Sequence, residues 1–269
     1  MMSIIIIESV GFSATQSISK MLQSDSKNYV SHGTKNFKNQ TMMGSKDLSF
    51  SEFFGQMNEL QDKYANCIAV HNNFIPYEIA KVTGPTDAKF FGLARRSQKK
   101  QILSCFYWAV KRFLDGDQFF KEQLSIGHNQ YAHMFNHIGL QSNMITCLMV
   151  YAINHVVSYN IEIAKYAEKI FFMEDIIRNP NSFAAETGCF YNKNLCLNVA
   201  PGYSHKAKIK HLGFVTGEEN VLQELLKVVK FDDEGQTYNL NSVESLLAVK
   251  AVTKETEIED NLNELQKIG

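Results

Sequence analysis

The residues able to do chemistry in this 269-residue chain fall in three places. The first is Gly11-Phe12-Ser13-Ala14-Thr15-Gln16-Ser17, a small, hydroxyl-rich run followed by Ile18, Met21 and Leu22 at helical spacing. A helix start leaves its first-turn N–H groups without intrahelical partners and carries a positive dipole end. With Ser13, Thr15 and Ser17 as added donors, it is suited to hold a phosphate. The second is His71, directly after the apolar Cys67-Ile68-Ala69-Val70; an imidazole titrating near neutrality suits general-base work. The third is Arg96 with Ser104 eight residues on. A guanidinium and a hydroxyl two helical turns along can converge on one phosphate. Each place also has a plainer reading: an ordinary strand-to-helix turn with a hydroxyl cap, a histidine that caps a loop, and a solvated basic helix start with Lys99 and Lys100.

These groups must be positioned by strands and helices, and the chain alternates the two. Ile4 to Ile7 is an apolar run bounded by polar residues, the pattern of a central parallel strand buried on both faces. Tyr29–Ser31, Cys67–Val70, Phe90–Ala94 and Ile170–Met173 are further strands. Helices are expected after Ser17, over Phe50–Tyr64, around Tyr77–Val82, over Ile102–Leu114 and over Glu218–Val229. A polar stretch reaching about Asp47 is read as a loop, and Cys189–Gly213 as irregular. From Gln118 to about Glu168 there is helical periodicity and no strand, read as a helical insertion. Val243–Val252 and Glu257–Ile268 are terminal helices within a C-terminal helical tail, residues 240–269. The expected fold is therefore α/β, one domain over residues 1–269, with a central parallel sheet flanked by helices. Ligands of such sheets sit at the carboxyl ends of the strands, where the loop, His71 and Arg96 all lie.

Composition narrows the function classes. A formal net charge of −1 produces no whole-molecule field toward nucleic acid or an anionic membrane. No run is expected to be long and apolar enough to span a bilayer, and Ile4–Ile7 is too short for a signal-peptide core. Five cysteines (Cys67, Cys105, Cys147, Cys189, Cys196) without C-x-x-C spacing point to reduced core thiols and a cytoplasmic setting. His133 and His137 share a helical face near His128, yet no glutamate or third ligand completes a metal set, so no metal is expected. His32 leaves the Tyr29–Ser31 strand at its carboxyl end and is a second histidine for the site. Neither G-x-x-x-x-G-K-[ST] nor G-x-G-x-x-G is present.

Order and spacing of the three groups resemble the sulfotransferases that use 3′-phosphoadenosine 5′-phosphosulfate (PAPS). Phe12-Ser13-Ala14-Thr15-Gln16 falls on that family's 5′-phosphosulfate loop, Arg96 and Ser104 on its Arg-x7-Ser 3′-phosphate motif, and His71 on the base of its cytosolic branch. Ile170-Phe171-Phe172-Met173-Glu174-Asp175 resembles its later strand. The resemblance spans about residues 3 to 187. It implies a P-loop-like fold and in-line sulfuryl transfer from PAPS, with 3′-phosphoadenosine 5′-phosphate (PAP) as product. The acceptor would be a hydroxyl or amine of a small molecule or glycan. Gly11 to Ser17, Arg96 and Ser104 would hold the cofactor, and His71 would be catalytic. The aromatics of 118–168 (Phe119, Phe120, Tyr131, Phe135, Tyr151, Tyr159) would either wall the acceptor pocket or form core.

The chain departs from the pattern where the family's loop carries Lys or Arg, for that position is Phe12. Lys20, Lys35, Lys99 or Lys100 would have to supply the cation. Ala14 replaces the loop glycine, and the C-terminal Arg-Lys-Gly motif is absent, with Lys206 and Lys208 in the corresponding stretch. The alternative function is accordingly a catalytically idle nucleotide-binding protein that keeps the fold; a kinase-type phosphoryl transferase fits least.

Overall fold

The computed structural model describes residues 3–33, 48–191 and 215–252, with single positions 206, 209, 210 and 213. The expected helix at Glu257–Ile268, the loop to Asp47, Lys35, Lys208 and Cys196 lie outside the described residues. The chain divides into two compact units. One comprises Met1–Arg96, Asn160–Leu197 and Ser245–Gly269; the other comprises Ser97–Tyr159 and Asn198–Glu244.

The first unit is α/β. Its strands are β1 (Ser3–Glu8), β2 (Asn28–Ser31), β3 (Asn66–Val70), β4 (Lys89–Ala94) and β5 (Lys169–Phe172), all parallel and ordered β2-β3-β1-β4-β5. Register is set by pairs such as Ile4 with Cys67 and Ile6 with Phe90. Helices α1 (Thr15–Gln23), α2 (Phe50–Leu60) and α3 (Pro76–Thr83) connect the first four strands. Ile5, Ile6 and Ile7 are wholly buried, as the unbroken apolar run requires when both faces are covered. Each such side chain contributes about 1.5–3 kcal/mol of burial.

The two faces take alternate residues of each strand. Ile5, Ile7, Val70, Leu93 and Phe171 pack in one cluster with Ile18, Met21 and Leu22 of α1. That cluster also holds Ile176 from α7 (Met173–Arg178) and Phe183 from α8 (Pro180–Thr187). On the other face Gly92 of β4 lies under Ile163 and Ala167, around the end of α6 (Met144–Tyr166). From β1 the chain goes to β2 on one side, returns through β3, and crosses to β4 and β5 on the other. Loops leaving β1 and its neighbours therefore diverge at the carboxyl ends, the place where open parallel sheets form a crevice.

The second unit contains α4 (Gln98–Leu114), α5 (Gln118–His137), most of α6, α9 (Glu218–Val228) and an antiparallel hairpin, β6 (Phe231–Asp233) with β7 (Gln236–Tyr238). Phe120 is buried edge-on to both Trp108 and Tyr151. A Cβ at Gly127 would stand 2.7 Å from that of Cys147, so this glycine lets α5 and α6 touch backbone to backbone. Helix α10 (Leu240–Ala251) follows the hairpin.

Several expectations are corrected. β1 runs on to Glu8, one residue past the expected Ile4–Ile7 run, and β5 ends one residue early because Met173 begins α7. The hairpin β6–β7 is an element that the sequence does not lead one to expect. The expectation that no run could span a bilayer also fails. By length and composition α6 is long and apolar enough, with a mean hydropathy of 1.3 over its most apolar stretch, and 61% of that stretch is buried inside the protein. Polar residues within it (Thr146, Asn154, Asn160) hide the run from inspection. Cys67, Cys105, Cys147 and Cys189 are buried free thiols.

Candidate functional site

At the carboxyl edge of the sheet the site is built on the ends of β1, β2 and β3. Glu8 closes β1 with its carboxylate wholly buried. Its Oε2 accepts from the N–H of Asn72 at 3.1 Å; its Oε1 accepts from those of Asn73 at 3.2 Å and Ser9 at 3.3 Å. The turn after β3 is thereby tied to the end of β1, a link also made by the His71 N–H donating to the Ile7 carbonyl at 2.9 Å.

His71 lies 2.6 Å from the Ser9 carbonyl through Nδ1. A carbonyl only accepts, so Nδ1 carries the proton and Nε2 is the basic nitrogen of the neutral ring. The imidazole leans over the loop: a Cβ at Gly11 would stand 3.3 Å from its Cε1 and Nε2. The Gly11 N–H is itself accepted by Ser9 Oγ at 3.0 Å, and the Ser13 hydroxyl donates to the Gly11 carbonyl at 3.2 Å.

Backbone strain concentrates here. Among the described residues, five non-glycine positions have positive φ, and four of them (Phe12 at 60°, Ala14 at 55°, His71 at 52°, Asn73 at 65°) belong to these two loops. Left-handed residues of this kind each cost on the order of 1–2 kcal/mol and persist where surrounding structure over-determines them. Gly11 and Phe12 are left-handed, Ser13 is not, and Ala14 is left-handed again. Ala14 is the N-cap of α1 and makes no side-chain cap bond.

His32, buried after β2, meets Thr15 Oγ1 through Nε2 at 3.1 Å, and its ring centroid is 5.6 Å from that of His71. Ser31 donates its hydroxyl to Asn72 Oδ1 at 3.0 Å. The structure thus brings together Gly11 to Thr15, His32 and His71. Gln16 and Ser17 continue into α1, with Gln16 exposed.

Arg96 and Ser104 stand differently. Arg96 ends the first unit, at the exit of β4. Its guanidinium forks onto Asp175 (Nε to Oδ1 3.2 Å, Nη2 to Oδ2 2.6 Å), stacks over Phe172 at 4.7 Å, and its N–H donates to Glu174. Ser104 belongs to the second unit, where its hydroxyl donates to the Lys100 carbonyl one turn back. Of the replacement cations, Lys20 sits in the last turn of α1, away from the loop, and Lys99 and Lys100 are exposed in the first turn of α4. Lys206 pairs with Glu219 and lies over the Tyr107 ring.

Elsewhere in the second unit, Tyr107 donates its hydroxyl to Glu218, both buried, and Lys210 stands 3.2 Å from the same carboxylate. Burial first, then Glu218, push the Tyr107 phenol up. His128 meets Ser142 at 2.8 Å. Among the described residues no group of three or more His, Cys, Asp or Glu could hold a metal. A cleft of about 340 Å³ between α5 and α6 is lined by Gln123, Gln130, Tyr131, Tyr151, Asn154 and His155, while Phe120 and Phe135 are core.

Sequence reasoning missed Glu8, Ser9 and the Asn72–Asn73 pair. The available signal was an acidic residue directly after an unbroken run of four isoleucines. No family model, curated protein or solved structure matches this chain.

Proposed function

We propose that the loop Gly11–Ser17 and His71 form the nucleotide end of a divergent PAPS-dependent sulfotransferase acting on a hydroxyl or amine of a small molecule or glycan. The observation that carries the reading is the approach of His71 to Gly11, with Nδ1 fixed by Ser9 so that the basic Nε2 belongs to the loop side. The left-handed backbone at Gly11, Phe12 and Ala14, at the end of the central strand, supports anion binding there. We read the fold as P-loop-like, the helical stretch 118–168 as an insertion, and the setting as cytoplasmic; the buried thiols favour the last.

In this reading His71 takes the acceptor's proton at Nε2. Ser13, Thr15, Ser17 and the α1 start hold the 5′ end of the cofactor, Ser13 leaving the Gly11 carbonyl to do so. Arg96 would hold the 3′-phosphate. PAPS, when bound, supplies the sulfuryl group and a phosphate leaving group. No metal, nucleic acid or membrane is part of this scheme.

A second reading, nucleotide binding without turnover, is favoured by Phe12. A cation there would offset charge developing on the leaving group, typically by several kcal/mol. The test is the thermal unfolding midpoint with PAP, beside ATP and NAD. A ligand that binds only the folded form raises it by mass action. A rise with PAP alone supports the nucleotide site, and release of PAP from PAPS with an acceptor then separates transferase from idle binder. Absence of any rise with PAP removes both readings.

A further inference from the structure

We infer that Glu8 is a positioning residue for His71, a buried clasp that holds the turn after β3 and serves as counter-charge when the imidazole is protonated. This rests on the reading of His71 as the base. A carboxylate with no exposed surface is costly unless its oxygens are satisfied. Here they accept from Asn72, Asn73 and Ser9, and two of those donors belong to the turn whose residues His71 and Asn73 are left-handed. Without that clasp the turn would relax toward ordinary φ values and the imidazole would swing with it.

Electrostatics act in the same direction. Oε1 of Glu8 is 3.7 Å from Nδ1 of His71, too long for the hydrogen bond that Ser9 makes but close enough to favour the imidazolium. Glu8 at the end of β1 and His32 after β2 both face His71. The Thr15 hydroxyl from α1 is engaged with His32. Glu8 favours proton uptake; a charged His32 opposes it.

The experiment follows the His71 ring nitrogens by long-range proton–nitrogen correlation across a pH series, with amide exchange in parallel, in the full chain. The parent is expected to show the Nδ1-protonated tautomer. Glu8→Gln keeps the shape and removes the charge. It is expected to lower the His71 midpoint by about one to three pH units and to quicken exchange at Asn72 and Asn73 by about fivefold or more. Glu8→Asp keeps the charge but shortens the reach, so exchange at those two amides should rise while the sheet amides stay protected; it carries the test if Glu8→Gln does not fold. A midpoint within about 0.3 units of the parent, or unchanged exchange at Asn72 and Asn73 in the folded variant, overturns the proposal. Neither readout needs a nucleotide, so a failure to bind PAP and a failure of the clasp are separate results.

Discussion

If Arg96 holds the 3′-phosphate, it must first leave Asp175, and the structure sets the size of that competition. The two side chains are 56% and 41% exposed, so the ion pair lies in water and is screened. Exposed pairs contribute about 0.2–1 kcal/mol, and the two-point geometry places this one near 1 kcal/mol. A guanidinium–phosphate bond contributes about 1.5–3 kcal/mol, so phosphate wins. Net of the ion pair given up, Arg96→Ala should therefore weaken PAP about 2- to 30-fold in a calorimetric titration at fixed salt. Asp175→Ala should tighten it by up to about fivefold, because the competitor is gone while Phe172 still supports the guanidinium. Equal PAP affinity in Arg96→Ala and the parent would refute the assignment. Clear weakening in Asp175→Ala would show that the carboxylate assists Arg96 instead of competing with it.

Two further outcomes are expected. A Cβ at Gly92 would lie 2.2 Å from Ile163 Cγ2 and 2.3 Å from Ile170 Cδ1, so Gly92→Ala should destabilise by about 1–3 kcal/mol. That lowers the thermal midpoint by about 2–4 °C per kcal/mol, and an unchanged midpoint would mean that the sheet yields there freely. Burial also pushes the Cys67 thiol up to about 11 from an ordinary 9.0. The folded form keeps a proton that the unfolded chain loses, so the stability involved is whole below about pH 9 and falls as pH rises toward 11. Thermal midpoints should decline through that range less steeply in Cys67→Ala; identical slopes in variant and parent would refute it.

The sheet was legible because its signals are local. Ile4–Ile7 and Cys67–Val70 are unbroken apolar runs of the kind a doubly covered parallel strand carries, and their following loops fell where ligands of such sheets sit. The partners of the site residues were not legible, because they are set by pairing at a distance. Nothing local tells that Asp175, 79 residues on, forks onto Arg96, or that Glu8 turns inward to meet Asn72, 64 residues away. Left-handed φ at Phe12, Ala14 and His71 was equally hidden, since none of these residue types advertises it. The hairpin β6–β7 escaped because strands of three residues are too short to show alternation.

The parallel order has a consequence for how the protein is made. β1 is synthesised first among the strands but sits between β3 and β4, and Ile4 pairs with Cys67, 63 residues downstream. At about 5–20 residues per second of translation, its first neighbour emerges roughly 3–13 s later. During that interval an uncharged tetra-isoleucine segment stands without its sheet, the composition that seeds intermolecular β-stacking. Slower growth temperatures or holding chaperones should therefore raise recovery by shielding this one segment, and an isoleucine-to-valine series in β1 should act on yield more than on the finished fold.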